Sequence, residues 1–147
     1  MRSRPNWPPL VQWASRGHLG AKAGAPDRPV VCFTGDGGFY YHVPEPETAS
    51  RLSLPVVIMV NNNSGFGQGV DNVRKIYDDT PGDPDQMNRF SDINFAEVAR
   101  AFGVEGIRVE KPCEIRPALE RALSLNVPVL VDVVTDIESR APEPWSS

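Results

Sequence analysis

Two stretches of the sequence decide the fold: residues 29–38, which read PVVCFTGDGG, and residues 55–67, which read PVVIMVNNNSGFG. Each contains a run of apolar, largely β-branched residues, which is typical of a strand covered on both faces in a parallel sheet. Each run then passes into glycines mixed with Asp or Asn. Because open α/β sheets bind ligands outside the carboxyl ends of their strands, these two strand ends form the candidate functional site.

The rest of the chain alternates between strand-like and helix-like patterns. The predicted strands are residues 30–34, 56–61, 106–110 and 129–134. Apolar residues at helical spacing, with weaker patterns in the first two segments, predict helices over residues 45–52, 70–77, 95–102 and 115–122. Ser91 or Asp92 is the expected N-cap of the third helix, and Gly103 its stop. Alternating strands and helices predict an α/β fold with an open, mostly parallel sheet and helices on both faces.

The periodic segments lie inside one domain, predicted to span residues 26–136. Residues 1–25 contain several prolines and little periodicity, so they are expected to be an irregular or truncated N-terminal segment. Residues 137–147 are expected to be a C-terminal tail. The connection over residues 64–92 is long for a small domain, which is usual for functional or disordered loops.

Composition excludes several classes of protein. The chain has 147 residues, of which 40% are apolar and 23% charged, as in a single globular domain. Its net charge of −4, with scattered Lys and Arg, argues against nucleic-acid binding. No apolar run is long enough to span a membrane, and the N-terminal residues do not resemble a secretion signal. Cys32 and Cys113 are isolated, which excludes a disulfide scaffold or zinc ribbon and favours a reducing, cytoplasmic compartment.

The side chains at the two strand ends favour a hard metal ion. Either motif alone is more often just a turn, since Gly, Asp and Asn tolerate turn conformations. If the two strands are neighbours, Asp36 and an Asn of the triplet can face one point and offer the oxygen ligands that suit Mg²⁺. Glycine turns favour phosphate, but a carboxylate about 4 Å away repels each phosphate charge by roughly 4 kcal/mol at an effective dielectric of 20. The combination therefore predicts a diphosphate bridged by Mg²⁺.

Residues 35–67, GDGGFYYHVPEPETASRLSLPVVIMVNNNSGFG, resemble the diphosphate-anchoring motif of thiamine-diphosphate enzymes, in which GDG is followed by NN. The downstream segments FAEVARAFGVEGIRVE, EIRPALERAL and PVLVDVVTD are similar to the carboxyl-terminal module of acetolactate-synthase-like enzymes. The resemblance runs from about Leu19 to Trp145. It implies the thiamine-diphosphate-binding fold, with three layers in the order α/β/α.

The resemblance also implies roles for individual residues. Asp36 and Asn63 are expected to ligate Mg²⁺, together with the carbonyl oxygen of Gly65. The expected cofactor-binding residues are Gly35, Asp36, Gly37, Gly38, Asn62, Asn63, Ser64, Gly65, Phe66 and Gly67. Asn61 stands where the family usually has an apolar residue and is expected to be structural. His18 is expected to be an exposed or displaced residue and not an acid–base group. No catalytic side chain is expected in this chain.

The function that the resemblance implies is decarboxylation of a 2-keto acid and carboligation, with thiamine diphosphate and Mg²⁺ as cofactors. Other domains or subunits are expected to supply the pyrimidine-binding face and the activating glutamate, in a homo-oligomer. The chain alone would then be incomplete as a catalyst. Two alternatives stay open: a non-catalytic or degenerate module that only binds the cofactor or mediates association, and an unrelated Mg²⁺–phosphate protein with a flavodoxin-like sheet.

Overall fold

The computed structural model describes residues 11–139, with side chains from Gly17 onward. The strands are β1 Val31–Gly35, β2 Val57–Asn62, β3 Glu105–Val109 and β4 Val129–Val134. The helices are α1 Val11–Gly24, α2 Asp36–Tyr40, α3 Glu45–Arg51, α4 Val70–Ile76, α5 Phe95–Ala101 and α6 Ile115–Ser124. Short 3₁₀ turns occupy Gly67–Gly69, Pro84–Met87 and Pro112–Glu114.

All neighbouring strands of the sheet are parallel, in the order β1-β2-β4-β3. Each connection between consecutive strands contains at least one helix, as parallel pairing requires. The predicted strands are confirmed to within one residue at each end. This order places β1 beside β2, so the two Gly- and Asn-rich strand ends are neighbours.

Helices cover both faces of the sheet. On one face, α1, α2, α3 and α5 pack on the sheet, α1 against β1 and α5 against β3 and β4. The core on this face is formed mainly by Leu19, Phe39, Ala49, Ile58, Val60, Phe95, Ala99 and Leu130. On the other face, α6 packs through Ala118 and Ala122 on residues of β2, β3 and β4. The predicted three-layer α/β/α architecture is confirmed.

The edge strand β1 is covered on one face only. Cys32 and Thr34 are buried, whereas Val31 and Phe33 are 48% and 62% exposed. The core between α6 and the sheet draws on β2, β3 and β4 but not on β1. The outer apolar side chains of β1 therefore have no helix above them among the described residues. The prediction that this strand is covered on both faces is therefore wrong for the part of the chain that the structure describes.

The N-terminal segment is more regular than predicted, because α1 occupies Val11–Gly24. Leu19 and His18 are buried, and Lys22 Nζ donates hydrogen bonds to the carbonyl oxygens of Pro26 (2.7 Å) and Arg28 (2.8 Å). For residues 11–24 the prediction of an irregular segment is wrong, and His18 is not exposed, since tertiary packing stabilises a helix with a weak apolar pattern. Residues 1–10 lie outside the described residues.

Two local boundaries also differ from the predictions. The N-cap of α5 is Asn94, whose Oδ1 accepts a hydrogen bond from the Glu97 amide at 3.1 Å, rather than Ser91 or Asp92. The domain continues past residue 136, because Ile137 is only 7% exposed. The remainder of the predicted tail, residues 140–147, lies outside the described residues.

Neither cysteine forms a disulfide: Cys32 is buried in β1, and Cys113 is exposed. Burial raises the pKa of the Cys32 thiol to about 11. Among the helices within residues 11–139, none has both the length and the apolar character that crossing a membrane requires.

Candidate cofactor site

The two strand ends are joined directly by a hydrogen bond. Gly35 of β1 is paired with Asn61 of β2, and Asp36 is the next residue after Gly35. The Gly65 amide donates to Asp36 Oδ2 at 2.9 Å, which links residues 29 positions apart in the sequence. A cavity of about 300 Å³ opens here, lined by Phe33, Gly35, Asp36, Gly37, Gly38, Tyr41, Asn61, Asn63, Gly65, Phe66, Gly67 and Gln68. Asp36, Asn63 and Gly65, the three predicted metal ligands, therefore share one cavity.

The carboxylate of Asp36 is almost entirely buried, at 2% exposure. Its Oδ1 accepts a hydrogen bond from the Gly37 amide at 2.7 Å, and its Oδ2 accepts the bond from Gly65. Burial raises the pKa of Asp36 above its ordinary value, and hydrogen bonds from nearby backbone amides oppose that rise. Because burial disfavours the charged form, a cation placed against this carboxylate would compensate a cost that already exists in the fold.

The side-chain oxygen of Asn63 is an acceptor that no donor of the described residues reaches. Its Oδ1 is buried and has no hydrogen-bond partner among the described residues. A Cβ added at Gly67 would lie 2.8 Å from Asn63 Nδ2, so the amide nitrogen lies against the glycine backbone. Leaving a buried acceptor unsatisfied costs about 1–3 kcal/mol, and an ion is one of the recognised reasons for such a group.

Glycines let the two motifs pack against each other. A Cβ on Gly37 would come within 2.7 Å of Cδ1 of Phe66, whose ring lies over the first turn of α2. A Cβ on Gly65 would overlap the carbonyl oxygen of Asn88 and lie 2.6 Å from Ile137 Cδ1. Gly65 is therefore closely packed against two residues that do not line the cavity, and Gly37 against Phe66, which does.

Asn62 does not line the cavity, contrary to its predicted place among the cofactor-binding residues. Its side chain is buried, and Nδ2 donates to Asp132 Oδ1 and to the Ile93 carbonyl oxygen, both at 2.9 Å. Its Oδ1 accepts a longer bond, 3.3 Å, from the amide of Ser64, which has a positive φ of 54°. Since successive residues of a strand point to opposite faces, Asn62 holds the turn from inside while Asn63 faces the cavity.

Four residues line the cavity that sequence reasoning did not include: Phe33, Tyr41, Asn61 and Gln68. Asn61 Oδ1 accepts a hydrogen bond from Thr135 Oγ1 at 2.8 Å, so Asn61 is both a cavity residue and a link to the end of β4. The alternation of side chains along a strand could have predicted the position of Asn61. Extended by one residue past the end of β2, this alternation puts Asn61 and Asn63 on the same face.

The family model described as the C-terminal TPP-binding domain of thiamine pyrophosphate enzymes matches residues 13–133. This chain belongs to that family. As a thiamine-diphosphate-binding domain of carboligases and decarboxylases, it is not an unrelated Mg²⁺–phosphate protein with a flavodoxin-like sheet, so that alternative is wrong.

Relatives of this thiamine-diphosphate-binding domain are much longer proteins. The acetolactate synthase of Bacillus subtilis is 34% identical over 126 residues, which are 86% of this chain and 20% of the relative. A 2-hydroxyacyl-CoA lyase of Arabidopsis thaliana is 34% identical over 119 residues, 80% of this chain and 21% of that protein. Among solved structures, the thiamine diphosphate-dependent 4-hydroxybenzoylformate decarboxylase of Rhodococcus jostii RHA1 matches with a TM-score of 0.69 and 30% identity. That match covers 81% of this chain and 22% of the decarboxylase. The chain thus spans about a fifth of the length of these proteins.

The donor set of the cavity fits a metal-bound diphosphate. It combines a buried carboxylate, an unsatisfied amide oxygen and a backbone carbonyl, all of them hard oxygen donors suited to Mg²⁺. Within residues 17–139, no three His, Cys, Asp or Glu side chains group as a metal site would require. A metal held here would therefore take only part of its coordination from this chain and leave positions open for diphosphate oxygens and water.

Proposed function

We propose that this chain is the Mg²⁺–thiamine-diphosphate anchor of an acetolactate-synthase-like enzyme. The observation that carries the proposal is the buried, unsatisfied Oδ1 of Asn63 in the same cavity as the buried carboxylate of Asp36. In this assignment Asp36 Oδ1 or Oδ2, Asn63 Oδ1 and the Gly65 carbonyl oxygen hold the metal. A dication between the carboxylate and the diphosphate converts a repulsion into two attractions, each of about 4 kcal/mol per charge pair at 4 Å and an effective dielectric of 20.

The residues around the proposed metal ligands are assigned contacts with the cofactor itself. Backbone groups of Gly35, Gly37 and Gly38 contact the diphosphate, and Phe66 with Gly67 lines the way toward the thiazolium ring. Ser64, which was expected to contact the diphosphate, does not line the cavity, and its amide and carbonyl are hydrogen-bonded to Asn62 and Phe90. Asn62 instead fixes the turn that presents Asn63, through its bonds to Asp132 and Ser64.

The proposed substrate class is a 2-keto acid. Support comes from the relatives, whose names include acetolactate synthases and a 4-hydroxybenzoylformate decarboxylase. When bound, thiamine diphosphate supplies the carbanion chemistry that decarboxylates such acids, and the protein supplies binding and orientation. No side chain of this chain is assigned a catalytic role, so we expect no turnover of pyruvate by the isolated 147-residue chain.

Loss of the carboxylate tests the anchor directly. In the Asp36→Ala chain we expect Mg²⁺-dependent binding of thiamine diphosphate to be lost, because Asp36 is the charged member of the three ligands assigned to the metal. Isothermal titration calorimetry with and without Mg²⁺ measures this. Wild-type chain with cofactor at 100 times its Kd should also gain about 2.7 kcal/mol of stability against urea.

Asp27→Ala is the matched control, since Asp27 is exposed and precedes the opposite end of β1. It should bind as the wild type does. Equal wild-type affinity for thiamine diphosphate with and without Mg²⁺ would contradict the proposal. Absence of wild-type binding under both conditions would instead favour the degenerate module.

We further propose that other domains or a second subunit cover the exposed apolar side of the cavity in a homo-oligomeric enzyme. Phe33 and Tyr41 line the cavity yet are 62% and 64% exposed, and Val31 continues this surface along β1. An uncovered apolar patch favours association.

Light scattering of the isolated chain at several concentrations tests this surface. We expect its average mass to rise with concentration, and Phe33→Ser to suppress the rise because it removes the exposed aromatic ring of β1. Leu123→Ser changes a comparably exposed residue of α6, at 48% exposure, and should leave the rise unchanged. A wild-type chain that stays monomeric at every concentration would contradict the proposal.

A reducing, cytoplasmic setting is also proposed. It is supported by the absence of a disulfide among the described residues, in which Cys32 is buried and Cys113 is exposed.

A further inference from the structure

The loop over residues 64–66 contains Gly65, the proposed backbone ligand of the metal, and we call it the metal loop. It pairs with residues 88–90, which lie further along the chain. The Phe66 amide donates to the Asn88 carbonyl oxygen at 2.8 Å, and the Phe90 amide donates to the Ser64 carbonyl oxygen at 2.7 Å. Gly65 and Arg89 face each other in this antiparallel bridge. Residues 88–90 therefore lie along the loop over residues 64–66 like a short partner strand.

This pairing sets the direction of the Gly65 carbonyl. The carbonyl of Gly65 and the amide of Phe66 belong to one planar, trans peptide unit, so their C=O and N–H bonds point in opposite directions. Because the Phe66 N–H points at Asn88, the Gly65 C=O points away from residues 88–90. The hydrogen bond to Asn88 thus orients the backbone oxygen that is proposed to bind the metal.

A second segment packs on the same loop. Ile137, which is buried, lies so close that a Cβ on Gly65 would come within 2.6 Å of its Cδ1, and one on Gly67 within 3.6 Å of its Cγ1. The metal loop thus contacts Asp36 and two covering segments. One covering segment is residues 88–90, and the other contains Ile137.

Four charged residues join these two covering segments, and we call them the Arg74 network: Arg74, Asp85, Arg89 and Glu138. Arg74 binds both carboxylates in bidentate fashion, with bonds of 2.8 and 2.8 Å to Asp85 and of 2.9 and 3.1 Å to Glu138. Arg89 adds longer contacts of 3.3 and 3.2 Å to the same two carboxylates. The hydrogen bond from Arg74 is the main reason why the pKa of Asp85 falls to about 2.

The network reaches the loop through two short paths, one of hydrogen bonds and one along the chain. The Asp85 carbonyl oxygen accepts hydrogen bonds from the amides of Asn88 (3.0 Å) and Arg89 (2.9 Å), so Asp85 fixes the turn that carries Asn88. Glu138 immediately follows Ile137. Arg74 therefore connects α4 to both segments that press on the metal loop.

From this geometry we propose that Arg74 is a positioning residue of the metal site, acting through Asp85 and Glu138 on the orientation of the Gly65 carbonyl. The inference rests on the proposed function, because it assigns Gly65 to the metal. Arg74 itself does not line the cavity and contacts no proposed ligand. Its partners are partly exposed, and such ion pairs contribute little to global stability, so its effect is expected on the geometry of the loop more than on folding.

The test uses Arg74→Gln in the 147-residue chain, with Arg121→Gln as the matched control. Arg121 also forms an ion pair, at 3.0 Å to Glu105, and lies on α6 outside the cavity. With thiamine diphosphate saturating, titration of Mg²⁺ by calorimetry should show Mg²⁺ affinity weakened about tenfold in Arg74→Gln, the lower end of the range for residues that orient metal ligands. Arg121→Gln should bind Mg²⁺ as the wild type does, while both variants melt within a few degrees of each other.

A second measurement needs no cofactor. In ¹⁵N spectra of the chain alone, the amide signals of Gly65 and Phe66 should shift in Arg74→Gln and stay in place in Arg121→Gln. If those signals stay in place and Mg²⁺ affinity matches the control, the proposal is overturned. If wild-type chain shows no Mg²⁺-dependent binding, the proposed function fails, and the amide signals alone then decide whether Arg74 positions the loop.

Glu138→Gln provides a second variant if Arg74→Gln does not fold. It removes the charge of one carboxylate that Arg74 contacts and leaves the hydrogen-bonding shape of the side chain. We expect the same amide signals to shift and Mg²⁺ affinity to fall. Unchanged amide signals and unchanged Mg²⁺ affinity in a folded Glu138→Gln chain would overturn the proposal.

Discussion

Replacing Asp132 with alanine is expected to lower the free energy of unfolding by about 3–5 kcal/mol, the usual cost of removing one partner from a buried ion pair. Asp132 lies in β4 with no exposed surface. Its Oδ2 accepts hydrogen bonds from Arg108 Nη1 (2.9 Å) and from the Phe95 amide (3.0 Å), and its Oδ1 accepts one from Asn62 Nδ2. Alanine would leave three donors short of an acceptor, one of them charged.

The total free energy of unfolding of a domain this size is about 5–15 kcal/mol, so this loss would be a large fraction of it. Urea unfolding followed by circular dichroism measures it, with Glu105→Gln as the control. Glu105 is 40% exposed and pairs with Arg121 at the surface, so its change should cost no more than about 1 kcal/mol. Similar midpoints for Asp132→Ala and Glu105→Gln would show that the buried network contributes little.

The same substitution should also reach the cofactor site. Asn62 is held by Asp132, and Asn62 in turn accepts the Ser64 amide at the start of the loop. We therefore expect folded Asp132→Ala to bind Mg²⁺–thiamine diphosphate more weakly than Glu105→Gln does, although Asp132 does not line the cavity.

Gly65→Ala is expected to abolish Mg²⁺-dependent binding of thiamine diphosphate and to cost about 1–3 kcal/mol of stability, the typical penalty for overpacking. The added Cβ would overlap the Asn88 carbonyl oxygen and press on Ile137. The Asn88 carbonyl cannot move away without disturbing the bridge of residues 88–90 with the loop, because it accepts the hydrogen bond from the Phe66 amide. Relief of the overlap would displace the Gly65 carbonyl from its present direction.

Calorimetry with Mg²⁺ and urea unfolding measure the two effects of Gly65→Ala. Gly20→Ala is an instructive control: Gly20 lies inside α1, and a Cβ there would meet nothing within 4 Å. That change should raise stability, by about 0.5–1 kcal/mol, since alanine is the better helix former. A Gly65→Ala chain that keeps wild-type cofactor affinity would show that the loop tolerates displacement of this peptide.

Much of the fold could be read from local patterns. The runs VVCFT, VVIMVN, GIRVE and VLVDVV predict the strands to within one residue, because apolar β-branched segments of that length have few other stable places in a folded chain. The helix α1 was missed for the opposite reason. Its apolar periodicity is weak, and its stability comes from packing of Leu19 and from Lys22 bonding to two carbonyl oxygens.

The sequence by itself determined which residues can form an oxygen-rich site, since Asp36, Asn63 and Gly65 follow two strands that must end at the same edge of a parallel sheet. Only the tertiary structure decided how each one is used. It turns Asn62 inward to Asp132, leaves β1 uncovered on one face, and places Asn88 against Phe66. These outcomes depend on contacts between residues tens of positions apart, whereas motif spacing and periodicity describe only near neighbours along the chain.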